Sequence, residues 1–241
     1  MTKIYAHRGA SAIAPENTMP AFEKALLLGS DGIEIDVHLT SDGIPVVAHD
    51  ETVNRVSDGS GRIIDHTLDE LRAMNFGVKF AEYGKVKIPT LEEVLTFIGS
   101  SQLGLNIEIK SGIVNYEGIE HKIVQMVRDF GLNDRIIYSS FNHYSLKALK
   151  AVDQGAKIGL LYNSALYEPW RYAMYVGANA IHPYYPTLLA PGVVPGCHAN
   201  SIGVHPWTVD DPTHIGMLLS LGVDIIITNK PDVACAVRAS A

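Results

Sequence analysis

The sequence predicts an α/β protein folded as a TIM (β/α)8 barrel, with residues 1–241 forming a single domain. Short runs rich in β-branched residues alternate along the chain with segments of helical periodicity. Eight such runs are present, and 241 residues is a usual length for one large α/β domain. An open doubly wound sheet is the alternative fold, but the chain lacks the Gly-rich dinucleotide loop that such a sheet often carries.

The predicted strands follow one another with helical patterns between most of them. A ninth, extra strand at Pro45–His49 returns from a hairpin. The eight barrel strands are Lys3–His7, Gly32–Leu39, Leu105–Lys110, Arg135–Ser139, Lys157–Leu161, Ala180–Pro183, Ser201–Thr208 and Asp224–Thr228.

Capping residues and glycine stops mark several of the helices. Thr18 is placed to cap a helix that runs through Leu28 and stops at the following glycine. Thr90-Leu91-Glu92-Glu93 has the capping-box pattern and begins a helix that ends near Gly99. Two further helical patterns lie at Ile119–Phe130 and Tyr144–Val152.

Residues 51–89 do not fit a plain barrel. The segment is interrupted by glycines and contains one short helical pattern near Leu68–Met74, which begins with a second capping box, Thr67-Leu68-Asp69-Glu70. We interpret it as a small insertion after the hairpin, close to the mouth of the active site, where it would supply substrate contacts.

Composition limits the classes of function. Asp plus Glu number 26 against 19 Lys plus Arg, which disfavours general binding to nucleic acid or anionic membranes but allows a local phosphate pocket. Cys197 and Cys235 have no metal-ligand spacing and suggest no disulfide scaffold, as in a reducing compartment. Neither a signal-peptide pattern nor an apolar run of membrane-spanning length is present, so we expect a cytoplasmic protein without stable membrane association.

The most informative local pattern is the strand that carries Glu34 and Asp36. Alternate residues of a strand share a face, so these two carboxylates and His38 lie together, while the opposite face is apolar. Adjacent carboxylates repel unless a positive group joins them, and Mg²⁺ or Ca²⁺ takes oxygen ligands. A half-exposed hairpin with a polar solvent face explains this stretch equally well.

The returning strand adds an imidazole to this face. If Asp42-Gly43 forms a two-residue turn, Asp36 lies directly opposite His49. A register slip of one residue would break this arrangement. We assign His38 a structural role, farther out on the hairpin, and interpret the remaining histidines as structural or solvent-facing: His66, His121, His143, His182, His198, His205 and His214.

In a barrel, residues at the carboxyl ends of the strands share one mouth. His7 and Arg8 end the first strand, and Glu108 and Lys110 share a face of another. Taken singly, each has a structural explanation that is more frequent than a functional one. Arg8 would form a surface ion pair, Glu108 and Lys110 would pair with each other, and Trp207 would pack in the core.

Taken together, these motifs resemble the glycerophosphodiester phosphodiesterase family over nearly the whole chain. No single motif is specific, but their order and spacing are. They are HRGASAIAPENT (7–18), EIDVHLTSDGIPVVAHD (34–50), EIK (108–110), SSF (139–141), WTV (207–209) and GVDIIITNKPD (222–232). The resemblance implies a TIM barrel with a small insertion.

The resemblance also implies roles for individual residues. Three carboxylates match the family's ligands for a divalent metal, Mg²⁺ or Ca²⁺, and His7 and His49 match its acid/base pair. Two residues of the first loop, Glu16 and Asn17, would shape that loop or support its neighbours. The metal ligands would be Glu34, Asp36 and Glu108, and the phosphate- or substrate-binding residues Arg8, Lys110 and Trp207.

The implied reaction is hydrolysis of a small-molecule glycerophosphodiester to glycerol 3-phosphate and an alcohol. The attacking group could be water or the 2-hydroxyl of the glycerol. Alternatives are a lysophospholipase D-like phosphodiesterase, a phosphate-ligand-binding barrel without catalysis, and a metal-dependent barrel enzyme acting on sugars. The paired histidines argue against a pure binder, which needs no acid and base.

Several positions depart from the family pattern. Asp210 stands where Asn often follows WTV, and Asn229-Lys230 stands where Asp-Arg is more usual. Val56 replaces a common threonine in the insertion. At 188–200, where the family usually has a regular helix, two prolines and two glycines would break or shorten it. These departures bear on substrate preference and the barrel wall rather than on the proposed metal ligands.

Overall fold

The computed structural model describes residues 1–241 and confirms the predicted barrel. Eight parallel strands run around it in the order β8-β7-β6-β5-β4-β2-β1-β9, and β3 pairs antiparallel with the outer part of β2. The strands are β1 (Lys3–His7), β2 (Gly32–Leu39), β3 (Pro45–Val47), β4 (Gly104–Ile109), β5 (Ile136–Ser140), β6 (Ile158–Tyr162), β7 (Ala180–Pro183), β8 (Gly203–Val204) and β9 (Ile225–Thr228).

Contacts outside a regular ladder close the barrel between β8 and β9. The backbone N–H of Asp224 donates to the carbonyl of Val204 at 3.0 Å, and the Asp224 carboxylate accepts from the Val204 N–H at 2.8 Å. The strand predicted over Ser201–Thr208 is therefore too long. Pro206 has no N–H for a ladder, and β8 ends two residues before it.

Helices surround the strands and cover the outer, apolar faces of the sheet. Between the two layers lies a core of 47 buried residues, to which β2 contributes Ile33, Ile35 and Val37. The helices are α1 (Met19–Leu27), α2 (Leu68–Ala73), α3 (Leu91–Gly99), α4 (Ile119–Asp129), α5 (His143–Val152), α6 (Pro169–Val176), α7 (Val193–Ala199), α8 (Pro212–Leu221) and α9 (Pro231–Ser240). None of them is both long enough and apolar enough to cross a membrane.

Both predicted capping boxes are present. The Thr90 hydroxyl accepts from the Glu93 N–H at 3.2 Å while the Glu93 carboxylate accepts from the Thr90 N–H at 2.8 Å, and Thr67 with Glu70 repeats this reciprocal pattern. The predicted capping role of Thr18 is wrong in one respect. Thr18 occupies the N-cap position of α1, but its hydroxyl donates to the carbonyl of Pro15 at 2.5 Å and caps no helical N–H.

The hairpin between β2 and β3 has a different register from the predicted one. The N–H of Ala48 donates to the carbonyl of Asp36 at 3.0 Å, so Asp36 lies opposite Ala48 and not opposite His49. The predicted two-residue turn Asp42-Gly43 is wrong because the loop also includes Ser41, and Gly43 closes it at φ 75° in the left-handed region. The chain then bends away from the ladder, and this bend brings His49 back to the site.

The predicted insertion, residues 51–89, carries most of a second, small core of eight buried residues, to which β3 adds Val46. A short 3₁₀ turn contributes Ile63 and α2 contributes Leu71, beside Val53 and Phe76. Farther along the chain, the proline- and glycine-containing segment 188–200 does shorten its helix. Helix α7 has seven residues, with Pro195 in the first turn, where a missing N–H costs no hydrogen bond.

Candidate active site

The side chains of the predicted site meet inside the carboxyl end of the barrel. Strand register brings them together, because His7 of β1 lies level with Glu34 of β2, and Asp36 of β2 lies level with Glu108 of β4. Side chains alternate between the two faces of each strand, and these four lie on the faces that point into the barrel.

Three carboxylates form a compact acidic trio: Glu34, Asp36 and Glu108. One oxygen from each lies within 4.8 Å of the others, and all three residues are buried. Asp36 Oδ1 is buried and accepts no hydrogen bond, so it has an unused lone pair. This donor set fits a hard divalent cation, which takes carboxylate oxygens and leaves other positions for water or substrate.

Two basic side chains compensate part of this negative charge. Lys110 Nζ lies 2.9 Å from Glu108 Oε1 and 3.5 Å from Asp36 Oδ1, and Arg8 Nε lies 3.4 Å from Asp36 Oδ2. The Asn17 amide donates to the same Asp36 oxygen at 2.8 Å. Arg8 and Lys110, which the family resemblance gives as phosphate-binding residues, therefore flank Asp36 together with one loop residue.

The trio titrates unequally. Burial and the negative charge of Asp36 together raise the pKa of Glu108 to about 7. Burial and the charge of Asp36 likewise raise the pKa of Glu34 well above its usual value. Burial would also raise the pKa of Asp36, but Lys110 and Arg8 outweigh it and hold that pKa far below the usual range. Asp36 is thus the permanent charge of the site.

His7 is held by a chain of two further side chains. Its Nδ1 lies 2.7 Å from the Asn229 Oδ1, and the Asn229 amide donates to Asp210 Oδ2 at 2.7 Å, which fixes the direction of the amide. Nδ1 of His7 is therefore the protonated nitrogen, and Nε2 faces the trio, 3.9 Å from Glu34. Burial and the nearby Arg8 charge lower the pKa of His7 to about 4, so its ring is neutral at pH 7.

His49 is oriented by a different network. Its Nδ1 lies 2.6 Å from Asp50, and Arg55 donates to Asp50 Oδ2 from Nε at 2.7 Å. Arg55 also donates two hydrogen bonds to Glu16, at 2.7 and 2.8 Å, and Glu16 accepts from Arg8 at 2.9 Å. One continuous chain of charged hydrogen bonds thus joins His49 to Arg8 through the inserted segment.

The first loop positions Arg8 through its backbone. Arg8 and Asn17 both have positive φ, at 57° and 55°, which is uncommon for residues other than glycine. The Arg8 N–H donates to the carboxylate of Glu34 at 3.1 Å, and the Asn17 N–H donates to the Arg8 carbonyl at 2.9 Å. This loop therefore fixes the arginine beside two members of the trio.

A narrow cleft of about 70 Å³ opens above the trio. Polar residues of β1, β2 and β4 line part of it, and Phe141, Leu161 and Trp207 supply apolar surface. Trp207 packs edge-to-face against Phe141 with ring centroids 5.5 Å apart, and its Nε1 donates to the carbonyl of His182 at 2.7 Å. The predicted substrate contact Trp207 thus lines the same cleft as Glu34 and Glu108.

A larger cavity of about 1000 Å³ lies at the opposite end of the barrel. It is lined by acidic and basic side chains in mixture, including Lys3, Asp31, Arg135 and Asp224, and by none of the acidic trio. Chemistry in parallel barrels belongs to the carboxyl ends of the strands. We therefore place the functional site in the smaller cleft.

His38 is buried and structural, as predicted. Its Nδ1 contacts the Tyr116 hydroxyl at 2.8 Å, and its Nε2 contacts the His49 carbonyl at 3.2 Å.

The structure also brings residues to the site that the sequence analysis did not identify. Asp50 adjoins His49 in sequence and could have been found from that position. Asn106 shares a strand face with Glu108, and Asn229 lies in the last family motif, so both had a local signal. Arg55 and His182 had none, because distant parts of the chain bring them to the site.

A (β/α)8 barrel with an acidic trio, two basic side chains and two imidazoles at its catalytic end defines a barrel phosphodiesterase. The profile of the Glycerophosphoryl diester phosphodiesterase family matches residues 7–233. The chain belongs to this family, as the motifs predict.

Similar proteins agree over their full lengths. A glycerophosphodiester phosphodiesterase of Caldanaerobacter subterraneus subsp. tengcongensis is 47% identical over 96% of this chain and 95% of its own. One from Bacillus altitudinis is 40% identical over 99% of this chain and 98% of its own. The solved structure of an Oleispira antarctica phosphodiesterase in complex with the product sn-glycerol-3-phosphate superposes with a TM-score of 0.88, at 28% identity and 99% and 97% coverage. The chain is accordingly an enzyme of the phosphoric diester hydrolase class.

Proposed function

We propose that this enzyme hydrolyses glycerophosphodiesters such as glycerophosphocholine and glycerophosphoethanolamine, with Mg²⁺ or Ca²⁺ as cofactor. The products would be sn-glycerol 3-phosphate and the free alcohol. The observation that carries the proposal is the buried trio with its unused Asp36 oxygen, since the other two members, Glu34 and Glu108, line a cleft together with His7 and His49. The relative crystallised with sn-glycerol-3-phosphate supports the glycerol half of the substrate.

Glu34, Asp36 and Glu108 would hold the cation. When bound, it would supply positive charge against the negative charge that develops on the phosphoryl oxygens. Arg8 and Lys110 offset part of the charge of the trio, and a bound cation would offset the charge that appears when Glu34 and Glu108 also ionise. The loaded site would then attract a phosphodiester anion.

Arg8 and Lys110 would bind the phosphate directly or through the trio. The Arg8 guanidinium already uses NH1 for Glu16, and its buried Nε has no hydrogen-bond partner. Lys110 is a point charge held against Glu108 and Asp36. Trp207 and Phe141 would pack against the uncharged part of the substrate.

The two histidines differ in a way that supports a division of roles between them. His7 is neutral at pH 7 and its Nε2 has a free lone pair, so it would act as the general base. His49 would then be the general acid and protonate the leaving alcohol. Asp50 accepts from His49 Nδ1 throughout, so only Nε2 of His49 exchanges a proton with the substrate.

The first experiment incubates the purified enzyme with glycerophosphocholine or glycerophosphoethanolamine, in Mg²⁺, Ca²⁺ or EDTA. Release of sn-glycerol 3-phosphate is followed with a coupled dehydrogenase. We expect release that EDTA stops, loss of that release in the triple variant with alanine at the trio, and loss of turnover but not of cation binding in His49→Ala. Unchanged turnover by the triple variant would overturn the metal site. Failure to release product with any cation would overturn the substrate assignment.

A lysophospholipid is the second candidate substrate, and one observation favours it. Apolar side chains are exposed on the loops after β4, β5, β6 and β7, among them Ile113 at 81% and Tyr167 at 92% exposure. A substrate with an acyl chain would cover such surface. Lysophosphatidylcholine is therefore assayed beside glycerophosphocholine, and a higher kcat/KM for the lysolipid would select it.

A further inference from the structure

The cavity of about 1000 Å³ at the amino end of the barrel is lined by two buried polar side chains that each keep one group unpaired. Tyr5 of β1 is 4% exposed, and His205, just after β8, is 6% exposed. His205 Nδ1 lies 2.9 Å from His182 Nε2, whereas His205 Nε2 and the Tyr5 hydroxyl make no hydrogen bond within the protein. A ligand that pairs with such groups recovers free energy that their burial costs.

Glycines on neighbouring strands let these two side chains turn into the cavity. A Cβ on Gly104 of β4 would clash with the Tyr5 hydroxyl oxygen, and a Cβ on Gly203 of β8 would lie 3.0 Å from His205 Nε2. Any other residue at 104 would therefore displace the hydroxyl. The two unpaired groups are thus held on different walls of the cavity, one against β4 and the other against β8.

Basic side chains from three strands line the same cavity. Lys3 is two positions before Tyr5 on β1, so both side chains lie on the inner face of that strand. Arg135 directly precedes β5, and Lys157 directly precedes β6. In the strand order β6 lies four places from β1, which is the opposite wall of an eight-stranded barrel. Positive charge therefore surrounds the cavity and does not collect at one point.

These three basic side chains have no carboxylate partner, whereas most of the acids that line the cavity have a basic one. Asp31 pairs with Arg238, and Asp224 lies 3.0 Å from His198 Nε2. The remaining acid, Asp134, is exposed and forms no ion pair. In a chain with a formal net charge of −7, this surplus of unpaired positive charge is a local exception that favours an anion.

The available donors define the chemistry of the ligand. Guanidinium, ammonium and phenol groups all donate hydrogen bonds, and oxyanions are the acceptors that pair best with charged donors. The cavity is also far larger than the cleft of about 70 Å³ at the other end, so more than one anionic group fits. We propose that the cavity at the amino end binds a small polyanion with two or more phosphate or carboxylate groups. The three basic side chains would hold its charge, and Tyr5 and His205 would donate hydrogen bonds to it.

The histidine pair connects this cavity with the cleft. Burial lowers the pKa of His205 to about 4, so at neutral pH its ring carries one proton. An oxyanion accepts from His205 Nε2, which must then hold that proton, so His205 Nδ1 accepts from His182 Nε2. The other nitrogen of His182, which lines the cleft, is then unprotonated. A ligand at one end of the barrel therefore fixes the tautomer of a side chain at the other end.

Titration calorimetry on the metal-free protein at low salt tests the site. The probes are tripolyphosphate and citrate, and inorganic phosphate and acetate are the comparison anions with a single group. We expect a probe to bind at least tenfold more tightly than its comparison anion, because linked groups bind together. Binding of tripolyphosphate alone would assign phosphate groups to the ligand, and binding of citrate alone would assign carboxylates.

Two variants locate the binding. Lys3→Gln should weaken probe binding about three- to tenfold, and Tyr5→Phe about tenfold, as loss of a hydrogen bond to a charged group does. Lys87→Gln, at an exposed position, and Tyr138→Phe, at a buried position outside the cavity, are the matched controls and should bind as the wild type does. Thermal unfolding identifies a variant that has lost the fold, and Lys3→Gln tests the site alone if Tyr5→Phe does not fold.

NMR of the histidine side chains gives a second measurement. Saturation with the bound probe should shift the ¹⁵N signal of His205 Nε2 and leave both His205 and His182 protonated at Nε2. The site would be overturned if neither probe binds, if Lys3→Gln and Tyr5→Phe bind the probe as tightly as the wild type, or if the His205 signal does not move. None of these measurements uses turnover, so the result is independent of the proposed reaction.

Discussion

Asp210 and Asn229 exchange the residue types that the family more usually carries at their positions, and they hydrogen-bond to each other. Asp210 accepts from the backbone N–H of Asn229 at 2.8 Å and from its side-chain amide at 2.7 Å. The exchange places a neutral amide, rather than a carboxylate, against Nδ1 of His7. A neutral partner provides less stabilisation for an imidazolium, which agrees with the low pKa of His7.

Restoring the usual order tests this pair. Asn229→Asp alone sets two carboxylates against each other, and we expect the free energy of unfolding to fall by about 1–3 kcal/mol. The double variant Asp210→Asn with Asn229→Asp should recover most of that loss, which a double-mutant cycle by urea unfolding would measure as coupling. If the losses of unfolding free energy in the two single variants simply add in the double variant, Asp210 and Asn229 do not act as a coupled pair.

The same double variant should change the pH dependence of the reaction. A carboxylate beside Nδ1 raises the pKa of His7, and the base form of His7 is then lost at a higher pH. The acidic limb of kcat/KM should therefore move toward neutral pH relative to the wild-type enzyme. If the acidic limb of kcat/KM does not move, a group other than His7 determines it.

At the residue scale, the sequence indicated the groups that share one strand face. Glu34 and Asp36 are two positions apart, and that spacing alone predicts their proximity. Arg55 could not be found in this way, because its contacts with Glu16 and Asp50 depend on how the inserted segment folds back over the barrel. His182 had no polar neighbour in sequence and was interpreted as structural.

At the scale of elements, the inserted segment contributes to the site through one side chain. Arg55 joins Asp50, and thereby His49, to Glu16. Arg55→Ala should lower kcat for glycerophosphocholine about tenfold, because the orientation of His49 contributes part of the acid catalysis. Arg62→Ala is the matched control, since Arg62 lies in the same segment and pairs only with the exposed Asp65. Equal kcat in both variants would remove Arg55 from the positioning network.

Helix caps give a prediction that concerns stability alone. Thr90 forms a complete capping box at α3, whereas Thr18 occupies an N-cap position without capping. Thr90→Ala should lower the free energy of unfolding by about 1 kcal/mol, as loss of a cap does, and leave kcat unchanged. Thr90→Ser, which keeps the hydroxyl, is the control and should lose much less. If Thr90→Ser lowers the free energy of unfolding as much as Thr90→Ala does, the methyl group of Thr90 rather than its hydroxyl is responsible.

Elements with strong local signals were predictable, and elements that depend on tertiary contacts were less so. The capping boxes at Thr67 and Thr90 are determined within four residues. The hairpin register was wrong because Asp42-Gly43 is compatible with both a two-residue and a three-residue loop, and the choice decides which residue faces Asp36. Nothing local distinguishes the two.

At the scale of the whole molecule, alternation of strands and helices was sufficient to predict the barrel. Each predicted strand is present, and the strand that is shortened most, β8, lies at the seam where β9 closes the barrel. A parallel barrel also forces buried titratable groups into its interior, because every strand contributes inward residues at the catalytic end. The stability of this protein should therefore depend on pH in two opposite ways.

The loss of stability as the pH falls below neutral comes from buried histidines. Burial lowers the pKa of His7, His38 and His205 from 6.5 to about 4. Between these values the unfolded chain binds protons that the folded protein does not, so the free energy of unfolding falls as the pH falls from 6.5 to 4.

The loss of stability as the pH rises toward neutral comes from the acidic trio, and a bound cation should reduce it. The folded pKa of Glu108 is about 7 against an ordinary 4.5, so between these values the folded protein retains a proton that the unfolded chain has released. Stability of the metal-free protein therefore decreases as the pH rises through this range, by about 1–3 kcal/mol for such a shift. A divalent cation held by the trio, as proposed, would bind the ionised form and remove that loss. We expect Ca²⁺ or Mg²⁺ to raise the Tm more at pH 8 than at pH 5.

Glu108→Gln separates this effect from the rest of the molecule. Without the ionisable group, the metal-free variant should be more stable than the wild-type protein at pH 8 and should gain little Tm from Ca²⁺. Its loss of stability between pH 6.5 and 4 should match that of the wild type, because the histidines are unchanged. A wild-type Tm that Ca²⁺ raises equally at pH 5 and pH 8 would show that the cation does not compete with protons at Glu108, and the trio would then not be its site.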